Sequence, residues 1–334
     1  MKNIKKIGVS ALAGSLAMFS AQADISITGG AEFTYTTLEG TGGQSSVSNT
    51  GNPFGMEHSI TFNGSGEMDN GFTYSVMSNM AGQDMAQDSS RLTLDMGDLG
   101  TLIFDQGVGG TGISALENNV PTAYEEADHN VGTLAHGIDV AGNSNVIGYS
   151  NSFMGVGINL RYNPEAGSSG ETQAGGTSNG TEDGAETSVA ITAAVPYVDG
   201  LTLAYGQSKT EYSLASTNDD TEMTMSANYA AGPVSVGYQI SEIQSGTADA
   251  NGQNVTAYGI AFNVNENMSI SYSVNENEAD NPSGTNVTEE STGIMAAYTM
   301  GSASLRVAFN EADGVNAVAA DTVEATEISL ALAF

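Results

Sequence analysis

Residues 101–118 read TLIFDQGVGGTGISALEN, followed by Asn119. An apolar stretch, a Gly107-x-Gly109-x-x-Gly112 turn and a helix-compatible segment stand in the order of a dinucleotide-binding fingerprint, whose glycines let a backbone approach a pyrophosphate. The surroundings argue against that chemistry. Ile113 to Asn119 is about two turns long, and Pro121 stops its continuation. A polar, irregular segment follows instead of a parallel strand. No acid stands about twenty residues on, where the ribose ligand belongs; the nearest are Asp128 and Asp139.

Other reactive constellations are thin. The three histidines are His58, His129 and His136. The last two share one loop and read as solvated residues, since zinc needs a tighter cluster. His58 and Ser59 are neighbours in an alternating segment, so they face opposite sides and form no dyad. The reading is therefore non-enzymatic, with no cofactor required. Cysteine is absent, which excludes disulfides and thiolate metal sites. Acids cluster at Asn218–Glu222, Asn275–Asp280 and Glu289-Glu290. Flexible carboxylates of this kind make calcium a candidate ligand, although no EF-hand spacing is present.

The elements that must carry these residues begin after an export signal. Lys2, Lys5 and Lys6 precede an apolar run from Ile7 to Phe19, and Ala21-Gln22-Ala23 is a small-x-small cleavage site. Residues 1–23 read as a signal peptide and 24–334 as the mature domain. Arg91, Arg161, Lys209 and Arg306 then face thirty-nine acids, a formal charge near −35. Nucleic acid is excluded as a partner by that charge, and cations are favoured.

The mature sequence alternates. Ile25, Ile27, Gly29, Ala31, Phe33 and Tyr35 share one parity, and Ser26, Thr28, Gly30, Glu32 and Thr34 the other. Such alternation predicts a strand with one apolar and one polar face. Sixteen segments of this kind run from 24–37 to 324–334. Seven short connections alternate with eight longer ones, as an up-and-down barrel with both termini at one end requires. The pattern predicts an all-β protein, a sixteen-stranded antiparallel transmembrane β-barrel, because only helices and closed sheets satisfy their backbones in lipid. An acidic secreted adhesin or surface-layer β protein is the alternative from another class.

The segments ISITGGAEF, NGSGEMDNGFTYSV, RLTLDMGDLGTLIFD and the C-terminal TEISLALAF, taken in order, resemble the sixteen-stranded general porins of Gram-negative outer membranes, most of all the alphaproteobacterial type. The resemblance covers the whole mature chain. It implies a homotrimer in the outer membrane, in contact with lipid and lipopolysaccharide, that passes small hydrophilic solutes and ions. A substrate-specific channel is the alternative within transport. It also implies that the third outer loop, 106–143 here, folds inward and constricts the pore. Acids on that loop, Glu117, Glu125, Glu126, Asp128 and Asp139, would then face wall residues Arg91, Arg161 and Arg306. A short helix over Ser114–Asn119 would lie along the wall. Alternatively, the arginines pair structurally with nearby acids such as Asp95 or Asp105. With so few bases, the expected preference is for cations.

Overall fold

Each alternating segment becomes a strand. The computed structural model describes residues 24–44, 52–138, 145–164, 183–212, 219–246, 252–280 and 286–334. Its strands are β1 (Asp24–Thr41), β2 (Phe54–Glu67), β3 (Thr73–Ala81), β4 (Ala86–Asp95), β5 (Thr101–Gln106), β6 (Val146–Phe153), β7 (Val156–Asn163) and β8 (Asp183–Ala194). The second half comprises β9 (Leu201–Tyr212), β10 (Asp220–Ala231), β11 (Val234–Gln244), β12 (Gln253–Asn265), β13 (Met268–Ala279), β14 (Val287–Met300), β15 (Ala303–Asp313) and β16 (Thr322–Ala333). Every strand pairs with its sequence neighbours, and β1 with β16 closes the barrel. The ladders between these strands are antiparallel; at the seam Ala31 lies opposite Leu332. There Gly29 and Phe334 exchange two backbone hydrogen bonds, at 2.8 and 2.9 Å. Closure removes the open sheet edge, which neither lipid nor water in the bilayer could satisfy.

The apolar parity faces out. Each strand presents at least one large apolar side chain to the surroundings, from Ile27 on β1 to Leu330 on β16. The polar parity faces in: Gln239, Ser273, Asn277, Asn310 and Ser329 are buried. This is the inverse of a water-soluble fold and fits a water-filled barrel in lipid.

Short turns set the register at one end. Between β6 and β7, Met154 and Gly155 both take positive φ, 51° and 82°. That is the two-residue hairpin geometry that matches strand twist. The strict contrast between short turns and long loops fails once. The β3–β4 connection is only Gly82–Met85, although it lies at the loop end. Several strands also outrun the segments read from sequence: β1 extends to Thr41 and β14 begins at Val287. Those ends stand where neither face meets lipid, so the two-residue period carries no hydrophobic signal there.

Candidate functional site

The longest connection joins β5 to β6. It departs at Asp105, a buried carboxylate at the end of β5. Asp105 accepts the backbone N–H of Val108 at 3.0 Å and of Gly109 at 2.8 Å. Arg91 donates to it at 2.8 Å and also donates to the Gly109 carbonyl. Gly107, Gly109, Gly110 and Gly112 follow with φ between 58° and 86°. Four left-handed positions in six residues turn the chain off the wall, at a conformational cost only glycine avoids.

A 3-10 helix over Gly112–Leu116 comes next; at its start the Ser114 hydroxyl accepts the Thr111 N–H at 3.0 Å and donates to the Thr111 carbonyl at 2.7 Å. It starts two residues before the expected helix and ends three residues earlier. Ile113 and Leu116 are buried, and Leu116 packs with Ala190 and Ala204. Beneath the helix start lies a fully buried ion pair, Arg161 Nη2 to Glu186 Oε2 at 2.9 Å. Gly112 has no side chain to collide with Arg161 Cβ and the Ser188 hydroxyl.

The chain then follows the wall. Gln239 on β11 accepts the Asn119 N–H at 2.8 Å and donates to the Leu116 carbonyl at 2.7 Å. Asn228 on β10 donates to the Asn119 carbonyl at 2.7 Å, and Ser271 on β13 accepts the Ala123 N–H at 2.8 Å. These wall side chains belong to the inward parity; their strand neighbours Tyr229, Tyr238 and Ile270 are exposed on the outer face. The loop therefore lies against the inner surface of the barrel.

A polar knot holds its far end. The Tyr124 hydroxyl donates to Glu327 at 2.7 Å, and lies 3.1 Å from Glu32. Arg306 stacks over the Tyr124 ring at 4.4 Å and pairs with Glu32. Burial and the Glu327 carboxylate raise the Tyr124 pKa, which keeps the hydroxyl a donor. On the return path His129 Nε2 lies 3.3 Å from Glu327, and Asn310 donates to the His129 carbonyl at 2.8 Å. Buried Glu289 accepts the N–H groups of Thr133 and Leu134 at 2.8 and 3.0 Å, and the Thr133 hydroxyl at 2.6 Å.

The residues singled out in the sequence are thus distributed unevenly. Arg91 and Asp105 form the root of the loop. Asp95 stands apart, at a turn, accepting the Gly97 N–H at 2.8 Å. Arg161 is closed off beneath the 3-10 helix. Arg306 sits in the knot at the far end. Glu117 is exposed on the loop. Glu126 accepts from Asn118 at 2.6 Å. Glu125 lies 3.9 Å from His129, and burial raises its carboxyl pKa. Asp139 lies outside the described residues. The arginines form no single ladder opposite the loop acids. Lys209 completes the pattern, with Asp219 at 2.7 Å, so each basic residue of the mature chain has a carboxylate partner.

Three expectations need correction. His129 and His136 are not freely solvated: the first bonds to Glu327, and the second is largely buried with Nδ1 2.8 Å from Asp128 Oδ1. That contact is an ion pair when His136 is protonated, and its angle falls outside hydrogen-bond geometry. Burial pushes the His136 pKa down, but Asp128 outweighs it and the net shift is upward. Glu289 is not part of a solvated mouth; it faces inward and clasps the loop. The wall acids Glu32, Glu186 and Glu327 and the loop residue Tyr124 were missed. Their polar or inward parity was legible, but partners up to 203 residues distant were not.

The His129 contact is pH-dependent. Its hydrogen bond to Glu327 raises the pKa, burial opposes this, and Glu125 adds to it. Glu126 also raises it, and Tyr124 packs edge-on against the ring. A raised folded pKa gives stabilisation that is complete below about pH 6.5 and fades as pH rises through the higher value. Losing the charge-assisted bond costs about 1 kcal/mol of loop anchoring. Single-channel fluctuations should grow from pH 6 to pH 9, and His129→Gln should flatten that dependence. Equal pH dependence in both proteins would remove His129 from the clasp.

Among the described residues, no group of three or more His, Cys, Asp and Glu side chains converges on a metal-sized site. No curated protein sequence matches the chain. Solved structures do. A porin refined at 1.8 Å resolution superimposes with a TM-score of 0.67 at 14% identity, over 93% of this chain and 100% of that one. Salmonella typhi OmpF, in its complex with daunomycin, gives 0.69 at 11% identity, over 95% and 99%. A mutant of the Rh. blastica porin gives 0.59 at 16% identity, over 93% and 100%. At such identities the likeness establishes the barrel fold alone. The family itself is established by sequence, through a model of the Gram-negative porins that matches residues 8–334. The adhesin alternative falls with that match, and the chain belongs to the Gram-negative porin family, as a channel of the bacterial outer membrane.

Proposed function

We propose that the chain is a passive, cation-preferring channel for small hydrophilic solutes, narrowed by the 106–143 loop. The observation that carries the preference is the pairing of all four mature basic residues with carboxylates. The thirty-nine acids far outnumber these bases, which leaves the lumen and mouth strongly negative, and a negative low-dielectric channel concentrates cations. The narrowing rests on the hydrogen bonds between inward-facing wall residues and the loop. Selection is by width and field, and the reading assigns no catalytic step.

Two partners complete the reading. Membership of the porin family supports assembly as a homotrimer. At the loop end, Glu278 and Asp280 share the side-chain amide of Asn286. Carboxylates there support calcium bridging to lipopolysaccharide.

Reversal potentials in a potassium chloride gradient test the preference. The expected sign is cation-selective at neutral pH, weakening as the pH falls toward about 4, where carboxylates protonate. Anion selectivity at neutral pH would refute it.

A further inference from the structure

Five glycines on the inner wall stand where a strand should avoid them. Glycine weakens a strand and marks places where another backbone comes close. Three are in register. Gly237 on β11 pairs with Gly259 on β12, Gly259 with Ser273 on β13, Ser273 with Gly293 on β14, and Gly293 with Asn310 on β15. They make one continuous row of small residues across five strands.

The loop fills that row. A β-carbon at Gly237 would lie 2.5 Å from Pro121 Cδ and 3.2 Å from Val120 Cα. At Gly259 it would lie 3.0 Å from the Pro121 carbonyl oxygen, and at Gly293 3.1 Å from Ala127 Cα, with Met295 and Asn310 side chains closer still. Two more glycines continue the track toward the loop root. Added at Gly206, a β-carbon would come 2.7 Å from Ile113 Cγ1; at Gly148, 2.8 Å from Thr111 Cγ2. Several of these contacts are to backbone or to a rigid proline ring, which cannot rotate away. Hydrogen bonds from Asn228 and Asn310 to loop carbonyls, and from the Ala123 N–H to Ser271, hold the loop against the same row.

We propose that this glycine track sets the bore of the channel, by recessing the loop into the wall so that less of it projects into the lumen. The inference rests on the loop being the constriction. Gly148, Gly206, Gly237, Gly259 and Gly293 are positioning residues: they need not touch the solute, yet they fix how far the loop stands from the wall. Adding methyl groups beneath the loop pushes it inward, and the open area shrinks.

The test compares Gly237→Ala/Gly259→Ala/Gly293→Ala, and a Gly237→Val/Gly293→Val pair, with the parent in planar bilayers and in liposome swelling. Alanine adds less volume than valine and forms strands more readily than glycine, so the triple variant carries the test if the valine pair fails to assemble; a heat-modifiable gel shift reports assembly. The expected result is a loss of single-channel conductance and a smaller sugar cutoff, greater for valine. Gly30→Ala adds an inward methyl whose nearest neighbour is a carbonyl oxygen at 3.4 Å, and should leave both unchanged. In a background lacking Ser114–Ala127 the track variants should have no effect. Conductance equal to or above the parent in assembled track variants overturns the inference. If the Ser114–Ala127 deletion itself leaves conductance unchanged, the constriction reading fails and takes the inference with it. If the deletion widens the pore and the track variants do not narrow it, the inference fails alone.

Discussion

Removing Ser114–Ala127 should raise single-channel conductance and admit larger sugars, while the barrel still assembles. The closed ladder from β1 to β16 provides the framework, and none of its strands includes a deleted residue. What the deletion removes is local: Leu116 against Ala190 and Ala204, and hydrogen bonds to Gln239, Asn228 and Ser271. Those wall groups are polar and would meet lumen water, so each lost bond costs about 0.5–1.5 kcal/mol at most. Glu117→Gln in the full-length protein should act differently, lowering cation preference with little change in sugar cutoff. Width follows the loop backbone and field follows its charge. Unchanged conductance in a correctly inserted deletion protein would place the loop outside the conduction path.

An arginine in place of Ile260 should impair assembly far more than one in place of Thr93. Ile260 is 45% exposed on the outer face of β12, five residues from the end of the strand. At about 3.3 Å per residue and a tilt of roughly 40° that is about 13 Å above the turn, near mid-membrane. A guanidinium there costs about 2–4 kcal/mol. Thr93 has the inward parity of β4, beside Arg91, and an added arginine there meets water. The fraction showing the heat-modifiable shift after refolding into lipid measures the difference. Equal fractions would mean that the two parities have been assigned to the wrong faces.

Much of the barrel was legible because its signal is local. Lipid on one side and water on the other impose a period of two on every spanning segment, and Ile25 to Tyr35 shows it without reference to any other strand. The strand ends above the membrane were not legible, because both faces there meet similar surroundings. The four-residue β3–β4 connection defied the length contrast for a related reason: loop length is not constrained by the membrane at that end. The glycine fingerprint at 107–112 shows how one local pattern serves two structures. Its left-handed positions would cradle a phosphate before a long helix; here they turn the chain off the wall at Asp105.

The sequence by itself determined which face of each strand meets lipid, how many times the chain crosses, and that carboxylates vastly outnumber bases. These follow from nearest-neighbour alternation and composition. Only the tertiary structure decided that Arg161 is closed off with Glu186, that Tyr124 reaches Glu327 across 203 residues, and that glycines on β11, β12 and β14 align under one stretch of loop. Such pairings depend on the stagger between strands and on where the loop comes to rest. Both are fixed when the barrel closes, and neither leaves a periodic trace in the chain.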